Sequence, residues 1–568
     1  MTVLLAAFLL VPAPRECVAL KGEVDCSPAT IERAVSGFVR DDAIPFEGYF
    51  LAVAETGIVI RASGLAGAFY AGQTLRQLAT SGRAPCCRIS DEPKFPWRGL
   101  HLDEARHFFG KAVVLRLLET MARFKLNVLH WHLTDDQGWR IPIPDCPDLV
   151  KAVRPVENRL NFRDLKAEGT YGPYAYTRDE LIEIVRRAAE LHIRIVPELE
   201  IPGHSRVLLQ VCPDLRCLLA DAKVDNAACP GKDGTIRFFE RALDEVCEIF
   251  PGEIIHIGGD ECDRSDWKRC PDCKARMERE GIADVAGLQS WVTAHFERYL
   301  AAKGRRLMGW DEIAEGGLPA RAAVMSWRGT STGITAAKNG HDVVMTPNEY
   351  CYFDYAQCVP GDQHAYPFDW TVLVPLAKVY SFDPLSGIPD DCRAHVLGAQ
   401  GNNWSEMTCT PEELEWKIWP RAAALAEGLW TSPKDRDFES FAARMDGIRK
   451  DLVRDGIHAA PVLRHPEGGM SGRLWRERTP GGEVIRYVCG ETKAALEIVD
   501  GRLVLSVNGK PSRTFAENKP FYAMEVIRPD SQSYFVTARR KGVEYVVTVL
   551  FDGNEVIPKD RLDERIVP

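Results

Sequence analysis

The sequence predicts an α/β chain organised around a (β/α)8 barrel, with a small α/β domain before it and a small β-rich domain after it. Three observations lead there. Between residues 93 and 460, short apolar runs alternate with longer stretches of helical spacing, repeated toward eight. The runs are near-continuously apolar, as parallel strands covered on both faces must be. Acids or tryptophans follow the runs, at the strand ends where barrels of this kind carry their sites.

Residues 1–92 form the first unit. The run "YFLAVAETGIVIRAS" reads as two strands around a turn at Glu55-Thr56-Gly57, and "LAGAFYAGQTLRQLAT" as a helix with Phe69, Leu75 and Leu78 on one face. No polar constellation is concentrated here, so this unit reads as a packing domain. At the N-terminus, "MTVLLAAFLL" has the apolar character of a leader but no basic start, and Pro14 follows the one small-residue cleavage point, Ala13. It reads as a first apolar strand or a shortened leader.

The barrel occupies 93–460. Its eight candidate strands are "GLHLDE" near 99, "NVLHWHL" at 127, "IRIVPELEI" at 193, "EIIHIGGDE" at 253, "RRLMGW" at 305, "AAVMSW" at 322, "DVVMTP" at 342 and "HVLGAQGNNW" at 395. Segments such as "VVLRLLETMARF" and "RDELIEIVRRAAELH" supply intervening helices. From 465 to 568 the texture changes to alternating strands joined at Asp-Gly, Asn-Gly and Lys-Gly turns, a β-rich accessory domain.

Composition excludes several classes. The 568 residues are 45% hydrophobic and 27% charged, which suits globular domains throughout. The net charge of −10 and the lack of a basic stripe speak against a nucleic-acid partner, and no apolar run approaches a membrane span. Seventeen scattered cysteines, an odd number, fit reduced thiols better than a disulfide framework. That favours a cytoplasmic location, with export on a shortened leader as the alternative.

The residues after the strands carry the functional argument. They are Asp103; Asp135 and Asp136; Glu200 and His204; Asp260 and Glu261; Trp310 and Asp311; Trp327 and Arg328; Tyr352 and Asp354; Trp404 and Glu406. Acids beside tryptophans suit sugars. An oxocarbenium-like transition state needs a proton donor and nearby negative charge, and an indole offers a flat apolar wall with one N–H left to donate. A lone tryptophan usually means core packing; three at strand ends do not. In "IIHIGGDECD" the glycines let backbone pass where a side chain would block, and Asp260 and Glu261, read as neighbours on a strand, point opposite ways and need not share a task.

Six stretches together resemble glycoside hydrolase family 20, the β-N-acetylhexosaminidases: "RGLHLDEARHF", "NVLHWHLTDDQGWR", "VPELEIPGHS", "HIGGDE", "GWDE" and "NWSE". The first unit, entered by "LVPAPREC", resembles the family's non-catalytic α/β domain; the resemblance stops near 465. It implies an exo-acting hydrolase of terminal β-linked N-acetylglucosamine, and N-acetylgalactosamine, working with retention through an oxazolinium formed by the substrate's own acetamido group. It also implies catalytic roles for Glu261, as general acid and then base, and for Asp260, on the acetamido group. Arg98 would grip the distal hydroxyls. Trp310, Trp327 and Trp404 would wall the sugar pocket. Tyr352 and Asp354 would contact the acetamido carbonyl and the hydroxyls, Glu406 would bind a further hydroxyl, and Asp135 with His204 would form a relay to the acid. The implied partner is an oligosaccharide or glycoconjugate, with no cofactor and no metal. Glu200 stands where many members have Asp.

Rival readings are an ordinary retaining glycosidase with Glu406 as nucleophile, a disaccharide-releasing relative, a catalytically dead sugar-binding barrel, and a metal-dependent hydrolase using His130, His132 and Asp136. The stretch "CDRSDWKRCPDC" offers Cys262, Cys270 and Cys273, three thiols where a structural zinc needs four.

Overall fold

Tyr49, Leu51 and Val53, each buried between half-buried neighbours, alternate along the strand Tyr49–Ala54 and give it one core-facing side. The computed structural model describes residues 9–152 apart from 80 and 81, then 154–155, 170–357 and 370–462, and the strands between 472 and 566. Of residues 154–155, 170, 370–373 and those last strands it gives the backbone alone. The first sheet contains β1 (Glu16–Asp25), β2 (Val39–Arg40), β3 (Tyr49–Ala54), β4 (Gly57–Ala62) and β5 (Arg83–Asp91), in the order β1-β5-β3-β4-β2. The hairpin β3–β4 turns at Glu55-Thr56, and helices α1 (Pro28–Ser36) and α2 (Leu65–Leu78) complete the domain. Leu75 and Leu78 are buried in its core and Phe69 is partly so.

The eight expected runs are the eight strands of a closed parallel barrel: β6 (Trp97–Asp103), β7 (Val128–His132), β8 (Arg194–Glu198), β9 (Ile254–His256), β10 (Arg306–Trp310), β11 (Ala323–Ser326), β12 (Val343–Met345) and β13 (Val396–Gly401). Helices α3 (Lys111–Arg123) and α4 (Arg178–Glu190) follow β6 and β7. The latter starts on a capping box between Thr177 and Glu180, which satisfies two orphan amides. Inside the barrel, side chains at alternate positions form layers. Trp97, Val128, Val196, Ile254, Met308 and Met325 make an apolar layer. Above it, nearer the strand ends, stand His101, His130, Glu198 and His256, fully buried. Register sets His101 beside His130 across β6 and β7, and Glu198 beside His256 across β8 and β9.

Below the barrel, the first domain is tied on by buried charge. Arg98 donates to Glu47 at 3.0 Å and to the Tyr70 hydroxyl at 3.2 Å. Lys125 donates to Asp91 and to the Tyr49 hydroxyl, both at 3.0 Å, and Trp430 Nε1 donates to Asp91 at 2.8 Å. The N-terminal stretch is not a strand where it is described. Residues 9–15 run as coil, with Leu10 and Val11 buried and the Ala13 amide donating to Glu427; residues 1–8 lie outside the description.

By compactness the chain divides into two units, 1–354 with 379–459, and 355–378 with 460–568. In the second, strands over 472–515 form a five-stranded antiparallel meander and those over 523–566 a four-stranded one. Thr492–Val499 and Arg502–Val507, on either side of an Asp-Gly pair in the sequence, are paired antiparallel. Among the described residues no helix is long and apolar enough to cross a membrane.

Candidate active site

The strand β9 ends at His256, so Asp260 and Glu261 are not neighbours on a strand as read from sequence. The chain leaves β9 through Gly258 at φ 63° and Gly259 at φ 91°, and Glu261 itself holds φ 46°. A Cβ at Gly258 would meet the Glu200 carboxylate at 2.0 Å, so the glycine is required by close approach. A bend, not strand alternation, separates the two acids. Asp260 is turned inward and 8% exposed. The Glu261 side chain is turned outward and 60% exposed. Left-handed backbone at a non-glycine residue costs on the order of 1–3 kcal/mol, and here it recurs at His204, φ 44°.

His204 meets both acids. Its Nδ1 lies 3.2 Å from Asp135 Oδ1, and its Nε2 lies 3.6 Å from Asp260 and 3.8 Å from Glu261. Burial would favour neutral imidazole, but Asp135 and Asp260 outweigh it and hold the pKa up at about 10. Asp260 is raised above the usual carboxylate range, first by burial, with His204 opposing. Its Oδ1 has no hydrogen-bond partner among the described residues. Beneath it, Glu200 is also raised, by burial and by Asp260.

Arg98 does not belong to this group. It opens β6, and roughly 17 Å of strand separate it from Asp103 at the other end. Its guanidinium is spent on Glu47 and Tyr70 beneath the barrel. The arginine at the site is Arg106, just past β6. It contacts Asp135 at 2.7 Å, Asp103 at 3.1 Å and Glu406 at 3.5 Å, and its guanidinium carbon lies 4.9 Å from the Trp404 ring centre. In "LDEARHF" its place after the strand, not before it, is the signal that marks it for the site.

The aromatic residues divide by depth. Trp310 is sealed inside the barrel, its Nε1 donating to Glu198 at 2.7 Å. Trp327 and Trp404 are partly open and flank Tyr352, with ring centres 6.0 and 6.3 Å from it, the first pair stacked. Trp327 Nε1 donates to Glu312 at 3.0 Å. Glu312, overlooked in the sequence, is pushed up to about 8 by burial and by Asp260. Asp354 is pushed up to about 8 by burial and by Glu406, and its Oδ1 lacks a partner among the described residues. A cleft of about 270 Å³ opens beside Glu261, Glu312, Trp327 and Arg328. The side chain of Trp370 lies outside the described side chains.

The histidines proposed for a metal rival are otherwise engaged. His132 contacts Glu198 through Nδ1 at 2.5 Å and Asp135 through Nε2 at 2.9 Å, while His130 lies 3.2 Å from Glu198. Asp136 accepts from the Arg206 amide and from Asn226 instead.

Comparison with known proteins bears on this geometry. Residues 95–433 match glycosyl hydrolase family 20, catalytic domain, and residues 18–92 match domain 2 of the same family. A beta-hexosaminidase of Porphyromonas gingivalis is 38% identical over 453 residues, covering 76% of this chain and 57% of the relative. One from Akkermansia muciniphila is 32% identical, covering 72% and 84%. The solved structure of an exo β-N-acetylglucosaminidase from Vibrio harveyi with N-acetylglucosamine superposes with a TM-score of 0.73 at 29% identity, over 80% of this chain and 79% of that one. The chain thus spans little more than half the length of the Porphyromonas relative.

Proposed function

Because the chain belongs to glycosyl hydrolase family 20, we propose that it is an exo-acting β-N-acetylhexosaminidase that removes terminal N-acetylglucosamine and N-acetylgalactosamine from oligosaccharides or glycoconjugates with retention. The observation that carries this reading is the contrast between two adjacent acids on one histidine, Asp260 buried with an oxygen unclaimed among the described residues and Glu261 open to solvent.

In the first step the substrate's acetamido oxygen attacks the anomeric carbon. The bond to the leaving oxygen breaks, and Glu261 gives that oxygen its proton. Asp260 accepts the acetamido N–H, which makes the amide oxygen more nucleophilic and places an anion beside the oxazolinium charge in a site of low dielectric. In the second step Glu261 takes a proton from water, the water oxygen joins the anomeric carbon, and the oxazolinium opens to the product of retained configuration. His204, held cationic by Asp135, opposes the burial that raises Asp260. Arg106 takes the hydroxyl-binding task first assigned to Arg98, with Glu406 and Asp354 on the distal hydroxyls and Trp327, Tyr352 and Trp404 as the walls.

The test is a panel of nitrophenyl N-acetylglucosaminide, N-acetylgalactosaminide, glucoside and disaccharide donors, with the product anomer followed by NMR. Turnover of both acetamido sugars with initial β-anomer is expected, and Asp260→Asn should lower kcat by roughly 10²-fold or more. Efficient disaccharide release, α-anomer first, or a covalently labelled carboxylate after a fluorosugar trap would overturn the reading.

A further inference from the structure

Three thiols near the catalytic pair in sequence become four in space. The expectation of no metal rested on the family resemblance and on counting only Cys262, Cys270 and Cys273 near one another in sequence. The fold turns Cys262 aside and brings in Cys217 and Cys229 from the segment after β8. Cys229, Cys270 and Cys273 are fully buried and Cys217 is 6% exposed. Their sulfurs lie 3.8 Å apart for Cys217 and Cys273, 3.7 Å for Cys229 and Cys270, and 3.5 Å for Cys229 and Cys273.

Those distances discriminate between chemistries. A disulfide needs a sulfur separation of about 2.05 Å. Four thiolates at about 2.3 Å from one ion, arranged as a tetrahedron, stand about 3.8 Å from one another. The surroundings are apolar, with Trp267, Val285 and Leu288 packed around the sulfurs, and four close thiols gain little there as mere hydrophobes. Cys270 caps a helix, Pro271–Glu280, and Cys273 lies in its first turn, so the helix N-terminus adds favourable potential for thiolates. A Cβ at Gly231 would meet the Cys273 amide at 2.3 Å, which shows how closely the two segments are drawn together.

We propose that Cys217, Cys229, Cys270 and Cys273 bind a structural zinc ion that fastens the segment after β8, which carries His204, to the segment after β9, which carries Asp260 and Glu261. Four thiolates close the coordination shell, so the ion offers no open position and takes no part in the proton movements. Its work is to hold two loops at the spacing that His204 bridges. The two loops already touch at the site, where a Cβ on Gly203 would meet the Asp260 carbonyl at 3.1 Å. The metal assignment stands on the thiols alone and does not depend on the glycosidase reading.

The full chain purified without chelator, in reductant, should contain about one zinc per chain by elemental analysis, the stoichiometry of a single four-thiolate site. Cys217→Ser and Cys273→Ser should each lose it, melt at lower temperature and expose residues 205–232 to limited proteolysis, while Cys392→Ser keeps its zinc. If the serine variants fail to fold, the parent decides. Cobalt exchanged into it should give the intense visible bands of a tetrahedral tetrathiolate. No metal even after zinc is added, iron in place of zinc, cobalt bands of oxygen or nitrogen ligation, or disulfides among these four cysteines would each overturn the proposal.

Discussion

His204 and Asp135 form a buried ion pair, Nδ1 to Oδ1 at 3.2 Å, and this pair decides the charge presented to the two acids beyond it. An imidazole that burial alone would neutralise stays protonated, because the charges of Asp135 and Asp260 outweigh the burial. The cation then opposes the burial that raises Asp260.

His204→Gln removes that cation while leaving an amide to meet Asp135. Because His204 acts through Asp260, we expect kcat to fall by less than the roughly 10²–10³-fold of a direct electrostatic contact. Without the cation Asp260 holds its proton to higher pH, so the acidic limb of the kcat/KM profile should move upward. The stability sign runs the other way. His204 has a raised pKa, so its contribution is full below about 6.5 and is lost as pH rises toward about 10. Melting curves of the variant should be flatter than the parent's across that window. An unmoved acidic limb would remove His204 from its positioning role.

The two arginines around β6 should separate stability from binding. Arg98→Met leaves Glu47 buried without its cation, and breaking such a pair costs about 3–5 kcal/mol. Denaturant unfolding should report that loss, with KM unchanged in the folded fraction. Arg106→Lys keeps the charge but loses the planar fork that reaches Asp103, Asp135 and Glu406. Here kcat/KM should fall roughly 10²-fold while the melting temperature moves little. The reverse pattern would return Arg98 to the sugar.

Glu312 and Asp354 make alkaline stability a probe of the site. Both are raised to about 8, so between the unfolded carboxylate range and that value the folded chain binds the extra proton and stability falls as pH rises. Glu312→Gln and Asp354→Asn remove the titration. Each variant should match the parent near pH 4 and exceed it above pH 8 by more than about 1 kcal/mol, the worth of one pKa unit. Parallel stability curves for parent and variants would refute the assignment.

Glu261→Gln removes the proton that the leaving oxygen needs, which is worth on the order of 10²–10⁴-fold. The loss should be largest with poor leaving groups and smallest with nitrophenol. Equal losses across a leaving-group series would place the acid elsewhere.

Much of this was legible because parallel barrel strands must be apolar on both faces, and short apolar runs are hard to mistake when helices lie between them. All eight strands were found that way. The errors came where position along an element mattered more than residue type. Arg98 and Arg106 sit in one quoted motif, and only the rule that sites lie beyond strand ends tells them apart. Asp260 and Glu261 diverge because of left-handed backbone, which two glycines hinted at and alternation did not. Glu312 and the thiols Cys217 and Cys229 gain meaning only from partners far away in sequence.

The charged floor of the barrel limits how this chain can be cut or recombined. Arg98 and Lys125 are barrel residues, yet the carboxylates that neutralise them, Glu47 and Asp91, belong to the preceding domain. A barrel expressed from residue 93 onward would uncover two cations evolved for a dry setting, together with the Trp430 indole that donates to Asp91. Such a fragment should aggregate or stay unfolded, and a foreign domain grafted in front would have to bring both acids to the same places. Gene shuffling should therefore pass these two domains on as one cassette, whatever follows them.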